Sequence, residues 1–146
     1  MIYFASDFHL GSPNYETSNS REKEICRWLD SIKDKASEIY FLGDTFDFWF
    51  EYKAVVPKGY IRFLGKLAEL NDRGVKLHMC VGNHDLWIGK YLQIECGVTV
   101  FSEPKTIQIG SFKYHIHHGD GLGPGDNRYK FLKKIAKPSS NLASLA

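Results

Sequence analysis

Four short clusters of acidic residues, histidine and asparagine, each placed where an apolar run stops, constrain this chain more than any other feature. They are Asp7-Phe8-His9, Gly43-Asp44-Thr45-Phe46-Asp47, Gly82-Asn83-His84-Asp85 and His118-Gly119-Asp120. The runs before them start at Ile2, Ile39, Leu77 and Phe112 and end at Ala5, Leu42, Val81 and Ile116. Runs of this length, rich in aromatic and branched residues, read as strands of a buried sheet. Open α/β sheets bind ligands at the carboxyl ends of their strands. Four strands closing in Asp, His or Asn therefore predict metal-ligand chemistry along one edge.

The 146 residues suit a single domain able to bury roughly 70% of its unfolded surface. An apolar content of 43% with 14% aromatics is globular and carries no disorder signature. A net charge of +2 without a block of either sign argues against a nucleic-acid partner. The start, Met1-Ile2-Tyr3-Phe4, meets the polar first cluster at once, so neither a signal peptide nor a membrane span is expected. Cys26, Cys80 and Cys96 are odd in number and lack metal-type spacing. Buried reduced thiols and a cytoplasmic location are the expectation.

Along the chain, Gly11 to Ser20 reads as a polar loop, with Ser20 the N-cap of a helix from Arg21 to about Lys35. Its apolar stripe is Ile25, Trp28, Leu29 and Ile32. Tyr60, Phe63, Leu64, Leu67 and Leu70 predict a second helix that Gly74 stops. A shorter helix ends near Gly97, and Val98 to Phe101 gives a short strand. Thr106 to Ile109 and Phe112 to His118 flank Gly110-Ser111, a hairpin signal of the glycine-first type. Strand and helix thus alternate early, and the chain turns antiparallel late. A basic amphipathic helix is expected from Arg128 to about Lys137, carrying Lys130, Lys133, Lys134 and Lys137, and the tail from Pro138 to Ala146 has no assignable pattern.

Asp7 and His9, two apart, would share a face on a strand and grip one ion at its end. Asp44 has an oxygen for each of two metals, Asn83 offers a carbonyl oxygen, and His118 an imidazole nitrogen. Such mixed donors suit manganese, iron or zinc rather than calcium or copper. Two ions about 3.5–4 Å apart can clamp the attacking and leaving oxygens of a phosphoryl displacement. At an effective dielectric of 20, two dications that close repel by roughly 18 kcal/mol, so a bridging anion is required, and Asp44 is the candidate. Taken singly, Asp-x-His is ordinary capping chemistry and Gly-Asp-x-x-Asp an ordinary turn. All four in this order, each ending a strand, are not explained by turn chemistry. His78, His115 and His117 read as strand residues rather than ligands.

The order and spacing resemble the calcineurin-like metallophosphoesterase superfamily over Met1 to about Lys137. The resemblance implies an αββα sandwich, of which this chain would form an N-terminal part: parallel strand-helix units followed by an antiparallel hairpin. It implies a dinuclear site, most simply manganese with zinc or iron as alternatives. Asp7, His9 and Asp44 match one metal, and Asp44, Asn83 and His118 the other. His84 matches the catalytic residue beside the scissile phosphate, with Asp85 placed to orient it and Asp47 supporting the ligands. Gly43 to Trp49, the His-Gly-Asp-Gly after the hairpin, and Asp126 to Phe131 are similar to the UDP-2,3-diacylglucosamine diphosphatases of lipid A synthesis. Those enzymes cut a nucleotide-lipid diphosphate to UMP and 2,3-diacylglucosamine 1-phosphate. Phe46, Phe48, Trp49, Phe50 and Tyr52 would then face acyl chains or pack the loop on the sheet, and the basic helix would rest on the inner membrane or in solvent.

The superfamily's closing Gly-His-x-His motif does not occur in these residues, so each metal is expected to keep three protein ligands. The expectation is a metallophosphoesterase domain over 1–137, weak or inactive alone, with an apolar face that a second copy can cover. A general nucleotide phosphodiesterase or phosphatase, and a metal-binding fragment without turnover, are the alternatives.

Overall fold

Three helices lie on one side of a four-stranded parallel sheet, with a hairpin at one end of the other side. The computed structural model describes residues 1–120. The elements are β1 (Ile2–Ala5), α1 (Tyr15–Ile32), β2 (Glu38–Leu42), α2 (Ile61–Asp72), β3 (Lys76–Cys80), α3 (Tyr91–Cys96), β4 (Val98–Phe101), β5 (Lys105–Ile109) and β6 (Phe112–Ile116). The basic helix expected from Arg128 and the tail from Pro138 lie outside the described residues.

Strand order in the parallel sheet follows the sequence, β1-β2-β3-β4. Crossovers between parallel strands share one hand, so a sheet laid down in one direction receives every helix on the same face. The helices accordingly pack on one another, α1 on α2 and α2 on α3. Register decides which residues meet them. Tyr3, Ile39, Leu77 and Val98 are partners, as are Phe41, Met79 and Val100. Ile39, Phe41, Met79 and Val98 are fully buried there with Leu29, Phe63, Leu67 and Leu92.

The alternate residues face the other way. Phe4 stacks on Tyr40 at 5.2 Å, and Tyr40 on His78 at 4.3 Å. The Glu38 carboxylate accepts from the Tyr40 hydroxyl at 2.9 Å and lies 3.2 Å from His78 Nε2. Glu38 and burial push the Tyr40 hydroxyl up to about 12, burial being the larger cause. The hairpin covers only part of this face, where Ile116 and Ile107 join Tyr40, Cys80 and Phe101. Phe4 remains 40% exposed.

Two expectations change. The first helix starts at Tyr15 rather than Arg21, and its N-cap is Asn14, whose Oδ1 accepts from the Thr17 amide at 2.9 Å. Its first turns are mostly solvent-exposed, so no apolar stripe announces them. The fourth cluster does not close a strand of the parallel sheet. Its strand, β6, pairs antiparallel with β5 in a separate two-stranded sheet, and the fourth parallel strand is β4. The hairpin itself forms as read, with Gly110 at φ +61. All three cysteines are free thiols, and Cys80 and Cys96 are buried. Among the described residues no helix is long and apolar enough to cross a membrane.

Candidate metal centre

The ends of β1, β2 and β3 and the residues after β6 meet at one point, and Asp44 is at its centre. Asp44 follows β2 in a left-handed conformation (φ +50) and is 4% exposed. Its neighbourhood is closed by glycine. Gly43 has φ +93, and a Cβ there would collide with the His118 ring; a Cβ on Gly82 would collide with the Asp44 carboxylate. Asp44 Oδ1 accepts from the His84 amide at 3.0 Å. Its Oδ2 lies 3.2 Å from His118 Nε2 and 3.8 Å from His9 Nε2. Burial alone would raise this carboxyl, but the hydrogen bonds from His118 and the His84 amide outweigh it and hold it below the ordinary range.

His118 shows what the cluster lacks. Its Nδ1 is 2.9 Å from the Leu42 carbonyl, which can only accept, so Nδ1 carries the hydrogen. Nε2 then faces Asp44 Oδ2 and, at 3.1 Å, the Asn83 side-chain oxygen. A bare lone pair cannot sit against two oxygens. Without an ion a proton on Nε2 would satisfy both, and His118 is accordingly raised to about 9, chiefly by its hydrogen bond to Asp44. A divalent cation bound by nitrogen and oxygen fits the same place, with the Leu42 carbonyl fixing the ring from behind as outer partners of ligating histidines do.

His9 repeats the pattern. Nε2 faces Asp7 Oδ1 at 4.0 Å and Asp44 Oδ2, while Nδ1 faces Asp47 Oδ1 at 3.5 Å. Asp47 thus backs a ligand-type ring rather than entering the cluster, and its Oδ1 lies equally far from His84 Nδ1. Two groups of ligand atoms lie within 4.8 Å of one another, His9–Asp44–His84 and Asp7–Asp44–His118. Asp44 is in both. The five residues expected as ligands, Asp7, His9, Asp44, Asn83 and His118, therefore come together, with His84 beside them. In these two groups Asp7 falls with His118 and His9 with His84, while His9 Nε2 also faces Asp7 Oδ1 at 4.0 Å.

Other expectations need correction. Asp7 and His9 do not share a strand face. They lie past β1 with φ +57 and +43, and the backbone turn, not strand alternation, brings Asp7 Oδ1 and His9 Nε2 to face each other at 4.0 Å. Asp85 does not orient His84. It is fully buried, its Oδ2 accepting from the amides of Thr45 (2.9 Å) and Phe46 (3.3 Å) and its Oδ1 from Gly82 (2.7 Å). It ties the β2 and β3 loops together, while His84 Nδ1 approaches the Asp47 carbonyl at 3.2 Å. The aromatic loop divides. Phe46 and Trp49 are fully buried, whereas Phe48, Phe50 and Tyr52 are exposed, with Trp87 beside the first two. Glu51 anchors this loop by accepting from Trp49 Nε1, the Gly89 amide and the Tyr91 amide at 2.8–3.1 Å. Sequence reasoning gave no function to Arg21 or Glu51, because their partners are carbonyls and amides that no residue type reveals.

Known proteins resemble this chain. A UDP-2,3-diacylglucosamine hydrolase of Porphyromonas gingivalis is 46% identical over 119 residues, which are 82% of this chain and 45% of that protein. One of Hamiltonella defensa is 32% identical over 91% of this chain and 50% of its own length. The chain spans about half the length of the curated relatives it matches. A crystal structure of a protein of unknown function from Aquifex aeolicus superposes with TM-score 0.55 at 19% identity, covering 92% of this chain and 69% of that one, and shows the fold alone. The calcineurin-like phosphoesterases match as a family over residues 1–142, through every cluster from Asp7 to His118. The chain belongs to the calcineurin-like phosphoesterase family.

Proposed function

We propose that this chain supplies the centre of a dinuclear-metal phosphoester hydrolase acting on the diphosphate of UDP-2,3-diacylglucosamine. The observation that carries the reading is the buried Asp44 carboxylate, which both groups of ligand atoms share. The substrate rests on the names of the relatives from Porphyromonas gingivalis and Hamiltonella defensa. Asp7, His9 and Asp44 would hold one ion, and Asp44, Asn83 and His118 the other. Bound there, two divalent ions supply Lewis-acid charge that activates water and neutralises a phosphoryl group. Manganese is our choice among the metals that this donor set accepts.

The protein's own groups do the rest. Asp44 holds both positions and needs to remain ionised, as its surroundings ensure. His84 sits at the rim with its side chain 41% exposed. The Asp47 carbonyl accepts from its Nδ1, which leaves Nε2 as the nitrogen open to substrate. Nε2 can give a proton to a leaving oxygen only from the imidazolium form, in which both ring nitrogens carry hydrogen. Exposed Phe48 and Phe50 beside Trp87 offer an apolar shelf next to that rim, suited to acyl chains. We assign this activity to the cytoplasm, against the inner membrane, and a second copy can cover the open sheet face.

The test measures manganese stoichiometry and UMP release from the lipid nucleotide, with a simple aryl phosphodiester in parallel. Two ions per chain and UMP release, both lost in Asp44→Asn, support the proposal. Cleavage of the simple diester with the lipid nucleotide ignored overturns the substrate. Metal binding without hydrolysis of either, both in this chain and in one extended through a Gly-His-x-His motif, leaves a non-catalytic binding module in its place.

A further inference from the structure

We infer that Arg21, on α1, is the positioning residue that sets His9 for metal binding. The inference rests on the dinuclear reading above. Three carbonyls converge on one guanidinium nitrogen: Arg21 Nη1 donates to His9 O at 2.8 Å, Phe8 O at 3.0 Å and Ser12 O at 3.2 Å. These carbonyls belong to the loop that carries Asp7 and His9 in left-handed backbone, where non-glycine residues are strained. The strain persists only if surrounding structure over-determines the loop, and here it does so from two sides.

The amide side is held by the β2 loop. The amides of Asp7, His9 and Leu10 donate to the carbonyls of Gly43, Asp44 and Thr45 at 2.9–3.1 Å. The carbonyl side is held by Arg21. These clamps fix the His9 backbone, and from it Nε2 faces Asp7 and Asp44. A charged donor to neutral carbonyls is among the stronger hydrogen bonds. The guanidinium also places a fixed positive charge against these carbonyls. A second tie from α1 falls further along, where the Ser18 hydroxyl accepts from the Gly11 amide at 2.7 Å. That bond leaves the His9 carbonyl untouched and makes Ser18 a matched control.

The consequence is selective. Losing Arg21 should weaken the ion that uses His9 and spare the one held by Asp44, Asn83 and His118. Partners behind metal ligands typically change affinity 10–100-fold. The experiment is a manganese titration of the full chain by calorimetry, with thermal melting of the metal-free protein alongside. In Arg21→Met one of two binding steps should weaken by about 10–100-fold, with the other unchanged. Arg21→Lys should recover part of it, because a shorter ammonium still offers three hydrogens to three carbonyls. Ser18→Ala should bind both ions as the unsubstituted protein does. Should Arg21→Met not fold, Arg21→Gln carries the same comparison. Equal weakening of both steps in parallel with the melting temperature, or no weakening of either, overturns the role of Arg21. A chain that binds no manganese before any substitution overturns the metal centre itself, and this inference with it.

Discussion

The two faces of the parallel sheet differ in completeness, and the difference separates what stabilises this fold from what serves its site. On the helix side, Ile39, Phe41, Met79 and Val98 are sealed under three helices. On the other side, Phe4, Tyr40 and His78 form a stacked row on which the hairpin packs at Tyr40 and leaves Phe4 40% exposed. The site lies at the strand ends between them, drawing Asp44 and Asn83 from the parallel sheet and His118 from beyond the hairpin. Folding free energy should therefore concentrate on one face and at the loop ties.

The sharpest way to break this comparison is a pair of truncations. Phe41→Ala opens a cavity in the closed face and should cost about 3–5 kcal/mol, whereas Phe4→Ala should cost about 1 kcal/mol or less. Urea unfolding reads both, and equal losses would show that the open face is closed in solution. Next in size is Asp85→Ala. Three amides from two loops lose their buried acceptor, at roughly 2–4 kcal/mol. Asp85→Asn should retain part of the stability, and a neutral result in the same assay would deny the tie.

A third prediction concerns pH. His118 rises to about 9 through Asp44, above the ordinary value of 6.5 that applies in the unfolded chain. The folded state then binds the extra proton, so this stabilisation is complete below about 6.5 and is lost as pH rises through about 9. Metal-free unfolding midpoints should fall over that window, and His118→Gln should flatten the slope. A divalent ion competes for the same nitrogen, so binding near neutral pH should release protons, detectable as a buffer-dependent heat. The smallest effect is expected from Tyr40→Phe, which removes one hydrogen bond to Glu38 on the open face. About 0.5–1.5 kcal/mol is the expected loss, and it should vanish as the tyrosine ionises near pH 12.

Much of this arrangement is local, and so was readable in sequence. Each of β1, β2 and β3 is an apolar run that stops at its ligand-type residues, and both signals lie within a few positions of each other. Cys96-Gly97 and Gly110-Ser111 likewise mark their own turns. What was missed depends on distant partners. The start of α1 is exposed and polar, so only the Asn14 cap betrays it. The run ending at Ile116 has the composition of a core strand, yet Phe112 and Tyr114 are exposed, because among the described residues it pairs with β5 alone. Asp85 looked like a companion of its neighbour His84, but its partners Thr45 and Phe46 are 40 and 39 positions away. No local pattern could show that.

The one-directional strand order also sets a sequence of events in time. A chain emerging from the ribosome has all four parallel strands once Phe101 is out, and each new strand docks beside the one made just before it. Asp44 is by then in place, but His118 has not yet emerged, so the carboxylate spends that interval without its imidazole. The scaffold can be tested for soundness before the chemistry is complete, and a nascent chain stalled with Phe101 just clear of the ribosome should already resist protease.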